Sequence, residues 1–342
     1  SPVGVWSATD HLARGEVFLL SWLEENGYHV DLFTDIDFHN GIPPGYRKLI
    51  LSTHPEYWTD RMYDRLETFL SQGGSLIYVG GNGLFERGTY TADQQGMIFF
   101  EGVEADNDAL RGFSSFRFLG RHERSVLGVA TSNCTTPLGG FEVLLPDHFL
   151  FRNLGVQRNQ LFGTAGGGAS GHEIDTMCES FANALPCKIP TPPSGVPPSS
   201  LPGGIVRLAR APNRDADCAE GVGADMTFYR HPGGGFVFSA GSIPFGHSLS
   251  QDLRTEVLPG LMRNVLGLPS LGILVPQAIS AKGFAFTLIG CLPTQFYVLE
   301  HSSNLRDWQP LSTNQFLDMP IELVDSGATN ARTRFYRTRL VE

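Results

Sequence analysis

Leu49-Ile50-Leu51-Ser52-Thr53-His54-Pro55-Glu56-Tyr57-Trp58 is the stretch whose reading decides the fold. Its apolar start is strand-sized, and it ends by placing a histidine and a carboxylate just before a helical pattern. That pattern covers residues 60–71, with Met62, Leu66, Phe69 and Leu70 on one face, Thr59 as N-cap and Gly73-Gly74 as the stop. A second apolar run, Ser75-Leu76-Ile77-Tyr78-Val79, then leads straight into Gly80-Gly81-Asn82-Gly83. Strand, helix and strand with short loops predict a parallel pair joined by a right-handed crossover. Ligands of such sheets bind beyond the carboxyl ends of the strands. The loops that begin at His54 and Gly80 are therefore expected side by side at one sheet edge.

Working outward, residues 11–26 read as a helix with Leu12, Leu19, Leu20 and Leu23 on one stripe and Gly27 as its left-handed cap. A strand is expected at 29–33. The front of the chain is thus a doubly wound α/β unit. From about 97 to 170 the pattern turns to short mixed segments rich in glycine and phenylalanine, and residues 186–204 are a proline-rich surface loop, because proline removes the donors that regular structure needs. Residues 224–230 and 235–240 read as a hairpin around His231-Pro232-Gly233-Gly234. A helix covers much of 251–266, interrupted or restarted at Pro259. Strand-like runs at 284–288, 295–300 and 333–339, punctuated by Pro and Gly, predict a small β-sandwich. The expected domains are residues 1–268 and residues 274–342.

Composition excludes several classes of function. A net charge of −10 without any basic block disfavours nucleic acid and anionic membranes as partners. No apolar run reaches the length of a membrane span. The 5 cysteines show no spacing typical of zinc. Cys178 with Cys187, and Cys134 with Cys218, could form disulfides, leaving Cys291 odd; reduced buried thiols are the alternative. The chain starts Ser-Pro-Val, which we read as processing or as a fragment of a longer protein.

Five motifs occur in order: His54-Pro55-Glu56-Tyr57-Trp58, Gly80-Gly81-Asn82-Gly83, Gly171-His172-Glu173-Ile174-Asp175, Ala224-Asp225-Met226, and the run from Gly234 to Ile243. Together they resemble the C-terminal region of the N,N-dimethylformamidase large (beta) subunit family over about residues 12–267. The resemblance implies a glutamine-amidotransferase-like, flavodoxin-like parallel sheet with β-rich insertions, and an iron-dependent hydrolase of a linear amide. It implies Glu56 as a ligand of Fe3+, with His54 and Asn82 beside the metal: His54 as a proton relay and Asn82 as a donor to the developing oxyanion. It implies a small-molecule amide as substrate, with a homo-oligomer or a small subunit as the further partner. The two tyrosine ligands of the family lie farther upstream than this chain extends, and the family's downstream lysine has no counterpart between Lys48 and Lys188. The remaining iron ligands are therefore expected upstream of Ser1, with an inactivated site as the alternative.

The tail from Phe296 to Trp308, with the closing Arg334-Phe335-Tyr336-Arg337, resembles a short β module of secreted bacterial proteins, which implies a secreted or periplasmic location. Each singled-out residue also has a plainer reading. Glu56 could serve the N-terminus of the following helix, His54 could be an ordinary loop histidine, and Asn82 an ordinary turn residue. We read Gly171–Asp175 as structural and Arg121-His122-Glu123-Arg124 as a solvated charge cluster. A non-catalytic secreted surface or carbohydrate-associated binding protein is the alternative function.

Overall fold

The computed structural model describes residues 11–99, 116–177, 200–212, 223–251, 257–268, 273–289, 296–315, 321–331 and 333–341. Its centre is a seven-stranded sheet. In chain order its strands are β1 (Lys48–Thr53), β2 (Ser75–Gly80), β4 (Phe141–Val143), β5 (Leu161–Phe162), β7 (Val206–Arg210), β8 (Asp225–Arg230) and β9 (Phe236–Ser239). A separate antiparallel ribbon pairs β3 (Ala130–Gly139) with β6 (Ser170–Thr176). The sheet order is β1-β2-β9-β8-β7-β4-β5.

The period of two along β2 explains the layering. Leu76 and Tyr78 enter one hydrophobic cluster, while Ile77 and Val79 enter the other. The helix α1 (His11–Glu25) buries Leu19, Trp22 and Leu23 in the second of these. On the opposite face lies α3 (Asp60–Ser71), packed through Met62, Tyr63, Leu66 and Leu70, with the short α2 (Asp35–Asn40) beside it. Thr59 caps α3, its hydroxyl accepting from the Met62 amide at 3.2 Å.

Only the β1–β2 and β2–β9 pairs are parallel; the other four pairs are antiparallel, so the sheet is mixed rather than the parallel sheet expected. The cause is the hairpin anticipated at 231–235. Its tight turn, closed by the His231 amide donating to the Gly235 carbonyl at 3.0 Å, forces β8 against β9. Residues 29–33 form no strand either: they are exposed, and a cavity of about 500 Å³ lined by Leu19, Leu23, Leu49 and Leu51 lies between them and β1. In the region of the helix expected over 251–266 the described helices are Phe245–Gln251 and Val257–Leu266, with residues 252–256 outside the described residues, and Pro259 sits in the first turn of the second, where its missing N–H costs nothing.

Arg121–Arg124 is not a solvated cluster. His122, Glu123 and Arg124 are buried, and Glu123 is paired with the buried Arg117. His122 Nδ1 lies 3.0 Å from the same carboxylate. Burial alone would raise the Glu123 pKa, but Arg117 and His122 outweigh it and hold the carboxyl well below its usual range.

In the tail, strands 273–280, 283–289 and 321–325 form one antiparallel sheet, and strands 309–315, 296–302 and 335–340 another. Phe286, Leu288, Tyr297, Leu299 and Leu323 form a cluster of their own. No helix among the described residues is long and apolar enough to cross a membrane. Cys178, Cys187, Cys218, Cys291 and residues 186–199 lie outside the described residues.

Replacing Arg117 by Met leaves a buried carboxylate without its cation. It should cost about 3–5 kcal/mol in urea denaturation at neutral pH, and adding Glu123→Gln should recover part of that. A single-variant cost below about 1 kcal/mol would contradict the pairing argument.

Candidate active site

The site is built where β1, β2 and β9 end. Thr53 and Gly80 are partners in the β1–β2 register, and the Gly81 amide donates to the Thr53 carbonyl at 3.0 Å. A Cβ on Gly80 would lie 2.6 Å from that carbonyl oxygen, and one on Gly81 would lie 2.7 Å from the Glu173 carbonyl oxygen. Only glycine permits both approaches. Thr53, Asn82 and His172 all have positive φ, at 60°, 55° and 56°. Such geometry persists where surrounding contacts over-determine it, as they do at functional sites.

The two loops are stitched together. The Leu84 amide donates to Pro55 and the Glu86 amide to Glu56, at 3.0 and 2.9 Å. The Trp58 indole reaches back to the Pro55 carbonyl at 2.7 Å. Glu56 is thereby turned toward His54, and the acid in the first turn of α3 is Asp60, paired with Arg87.

The β3–β6 ribbon brings in the remaining side chains. It is anchored at the end of β9, where the Asp175 amide donates to Gly241 at 2.9 Å, and the Met177 amide donates to Asp225 at 2.8 Å. His54 Nε2 then lies 3.1 Å from Glu56 Oε2 and 3.0 Å from Glu173 Oε2. Asn82 Nδ2 donates to the same Glu173 oxygen at 3.0 Å. Burial lowers the His54 pKa, but hydrogen bonds and charge from Glu173 and Glu56 outweigh that and raise it to about 9. At neutral pH the imidazole is a cation between two carboxylates.

Asp175, two residues along the strand and on the same face as Glu173, is fully buried. It accepts from the Asn82 amide at 2.9 Å and from the Tyr78 hydroxyl at 2.6 Å. Burial raises its pKa to about 7, against the lowering effect of those two donors.

His54, Glu56 and Asn82 therefore stand at one sheet edge. The sequence reading missed Glu173, Asp175, Tyr78 and Thr131. The signal for the first two was the alternation in His172-Glu173-Ile174-Asp175, which puts two acids on one strand face. Among the described residues, no three His, Cys, Asp or Glu side chains are grouped so as to hold a metal ion. The donor chemistry at Glu56, a hard oxygen, suits iron as one ligand, but the described residues do not complete a set.

Residues 2–256 match the family described as N,N-dimethylformamidase beta subunit-like, C-terminal. The chain belongs to that family. A relative from Paracoccus aminophilus, the N,N-dimethylformamidase beta subunit, is 25% identical over 281 residues, covering 73% of this chain and 36% of that protein. The protein of the same description from Alcaligenes sp is 24% identical with the same coverage. The chain thus spans about a third of the length of the N,N-dimethylformamidase beta subunits it matches.

Asp175 supplies a pH test of this geometry. Its folded pKa is raised, so the folded state keeps a proton that the unfolded chain loses near pH 4, and stability should fall as pH rises from about 4 to about 7. Thermal midpoints of Asp175→Asn should lack that part of the fall; parallel profiles for the two proteins would refute it.

Proposed function

We propose that this chain carries the reacting side chains of a hydrolase that cleaves the C–N bond of a small linear amide such as N,N-dimethylformamide. The observation that supports this reading most is the grouping of His54, Glu56, Asn82 and Glu173 at the carboxyl edge of β1 and β2, in a chain of the N,N-dimethylformamidase beta subunit-like family. Proton inventory makes the chemistry coherent. His54 Nε2 faces two carboxylate oxygens, so it carries a proton and can give it to the departing amine nitrogen. Glu173, the more exposed of the two carboxylates, can accept the proton lost by the attacking water. The second Nδ2 hydrogen of Asn82 is available to the carbonyl oxygen as it gains negative charge. Water's oxygen bonds to the carbonyl carbon, the C–N bond breaks, and the products are a carboxylic acid and an amine.

We further propose that Glu56 is one ligand of an iron ion whose other ligands lie upstream of Ser1. When bound, such an ion would supply Lewis acidity next to the carbonyl. The tail forms a second domain in this proposal, from residue 274 to 342, with the amidotransferase-like unit covering 1–268. The separate cluster around Phe286 and Tyr297 favours that division.

Two measurements bear on these statements. This chain alone should bind iron weakly and turn over formamides poorly, whereas the chain extended upstream should do both and lose both on Glu56→Gln. Stoichiometric iron in the 342-residue chain would refute the upstream ligands; an extended protein with neither metal nor turnover would favour a binding role instead. Removing residues 270–342 should leave the circular dichroism and melting of the front part nearly unchanged, and cooperative loss of the whole fold would contradict two domains.

A further inference from the structure

Asn82 can perform the role proposed for it only if its amide presents nitrogen, not oxygen, to the reacting group. The two ends of an asparagine side chain are nearly the same shape, so packing does not choose between them. Hydrogen bonds must.

One contact makes the choice, and two more hold it. Glu173 lies 3.0 Å from Asn82 Nδ2, and an ionised carboxylate can only accept, so the NH2 end belongs on that side. The other end, Oδ1, then faces Thr131 Oγ1 at 2.5 Å, and the threonine hydroxyl is the donor. Thr131 itself sits directly opposite Asp175 in the β3–β6 register, and Asp175 accepts from the Asn82 backbone amide at 2.9 Å. One rung of the ribbon therefore grips Asn82 twice, at its main chain and at its side-chain carbonyl.

The grip is supported from behind. The Tyr78 hydroxyl donates to Asp175 at 2.6 Å while accepting from the Gly83 amide at 2.8 Å, so the residue after Asn82 is tied to the same carboxylate. The buried Arg117, paired with Glu123, reaches the Thr131 carbonyl at 3.4 Å. Thr131 is only 3% exposed.

We propose that Thr131 is the positioning residue that orients the Asn82 amide, with its NH2 toward Glu173 and the reacting carbonyl, and that the Thr131–Asp175 rung is a clamp serving this purpose. The inference rests on the amide-hydrolase reading for its catalytic consequence, but the clamp itself does not. Loss of the Thr131 hydroxyl leaves the amide held by Glu173 alone, so that it can turn about its Cβ–Cγ bond and its second N–H no longer points at the developing oxyanion.

The test uses the upstream-extended protein and two substitutions. Thr131→Val keeps the shape and removes the donor; Thr131→Ser keeps the donor. On N,N-dimethylformamide, Thr131→Val should lower kcat by roughly 10- to 100-fold, less than or equal to the loss of an oxyanion donor itself, with KM changed by less than about 3-fold. Thr131→Ser should restore most of kcat. A second readout does not involve turnover. In asparagine-labelled protein the Asn82 side-chain NH2 pair, assigned by its absence in Asn82→Ala, should be slowly exchanging, should shift and exchange faster in Thr131→Val, and should return in Thr131→Ser. Unchanged Asn82 resonances in Thr131→Val overturn the clamp, as does wild-type kcat in that variant. Altered resonances in a protein with no amide turnover at all support the clamp and defeat the hydrolase reading, so the two failures are told apart.

Discussion

Asp175 is the carboxylate on which the rest of the site depends. It lies on a ribbon outside the main sheet, yet it holds the loop after β2 through the Asn82 amide and closes on Tyr78, a residue in the middle of the sheet's second strand. The ribbon is anchored on Gly241 through its main chain, and without the carboxylate's tie the Asn82 loop would lose its main-chain hold on that ribbon beside Glu173 and His54. A fully buried carboxylate is costly to hold in its charged form, which its raised pKa reflects. Its two directional donors offset part of the cost.

The same logic extends through a line of buried and half-buried polar groups. Glu123 holds Arg117, Arg117 touches the Thr131 carbonyl, Thr131 donates to Asn82, and Asn82 donates to Glu173 beside His54. Each member has a partner of opposite character, as a low-dielectric interior requires. Such a line stabilises modestly on balance, because desolvation opposes each attraction. Its larger effect is geometric: it leaves the side chains at the sheet edge few alternative arrangements.

Much of this architecture is legible in local sequence patterns. The runs ending at Thr53 and Val79, the helix beginning after Thr59 and the hairpin around Pro232 are short-range patterns whose periodicity or turn chemistry is sufficient. The adjacency of the His54 and Asn82 loops follows from those elements and the handedness of crossovers. Residues 29–33 mislead because a short run placed after a helix reads as a strand, whereas here no neighbouring strand among the described residues pairs with it. Glu173 and Asp175 escape for a different reason. Their partners Asn82 and His54 lie far away in the chain, and only the pairing of β3 with β6 and its anchor on Gly241 brings them near. The charged run at 121–124 misleads because composition suggests water, whereas Arg117, six residues before Glu123, lets the carboxylate be buried.

The close approach at Gly80 and Gly81 bears on how this site can change over evolutionary time. Both glycines are confined by backbone atoms, one by the Thr53 carbonyl and the other by the Glu173 carbonyl, and backbone cannot be exchanged by mutation. His54, Glu56 and Glu173 meet one another through side chains instead, and side chains can be exchanged by mutation. A descendant that abandoned the chemistry could lose any of these three while remaining obliged to keep the glycine pair. Gly80-Gly81 is thus a marker of ancestry, and the identity of the side chains around it is the marker of activity.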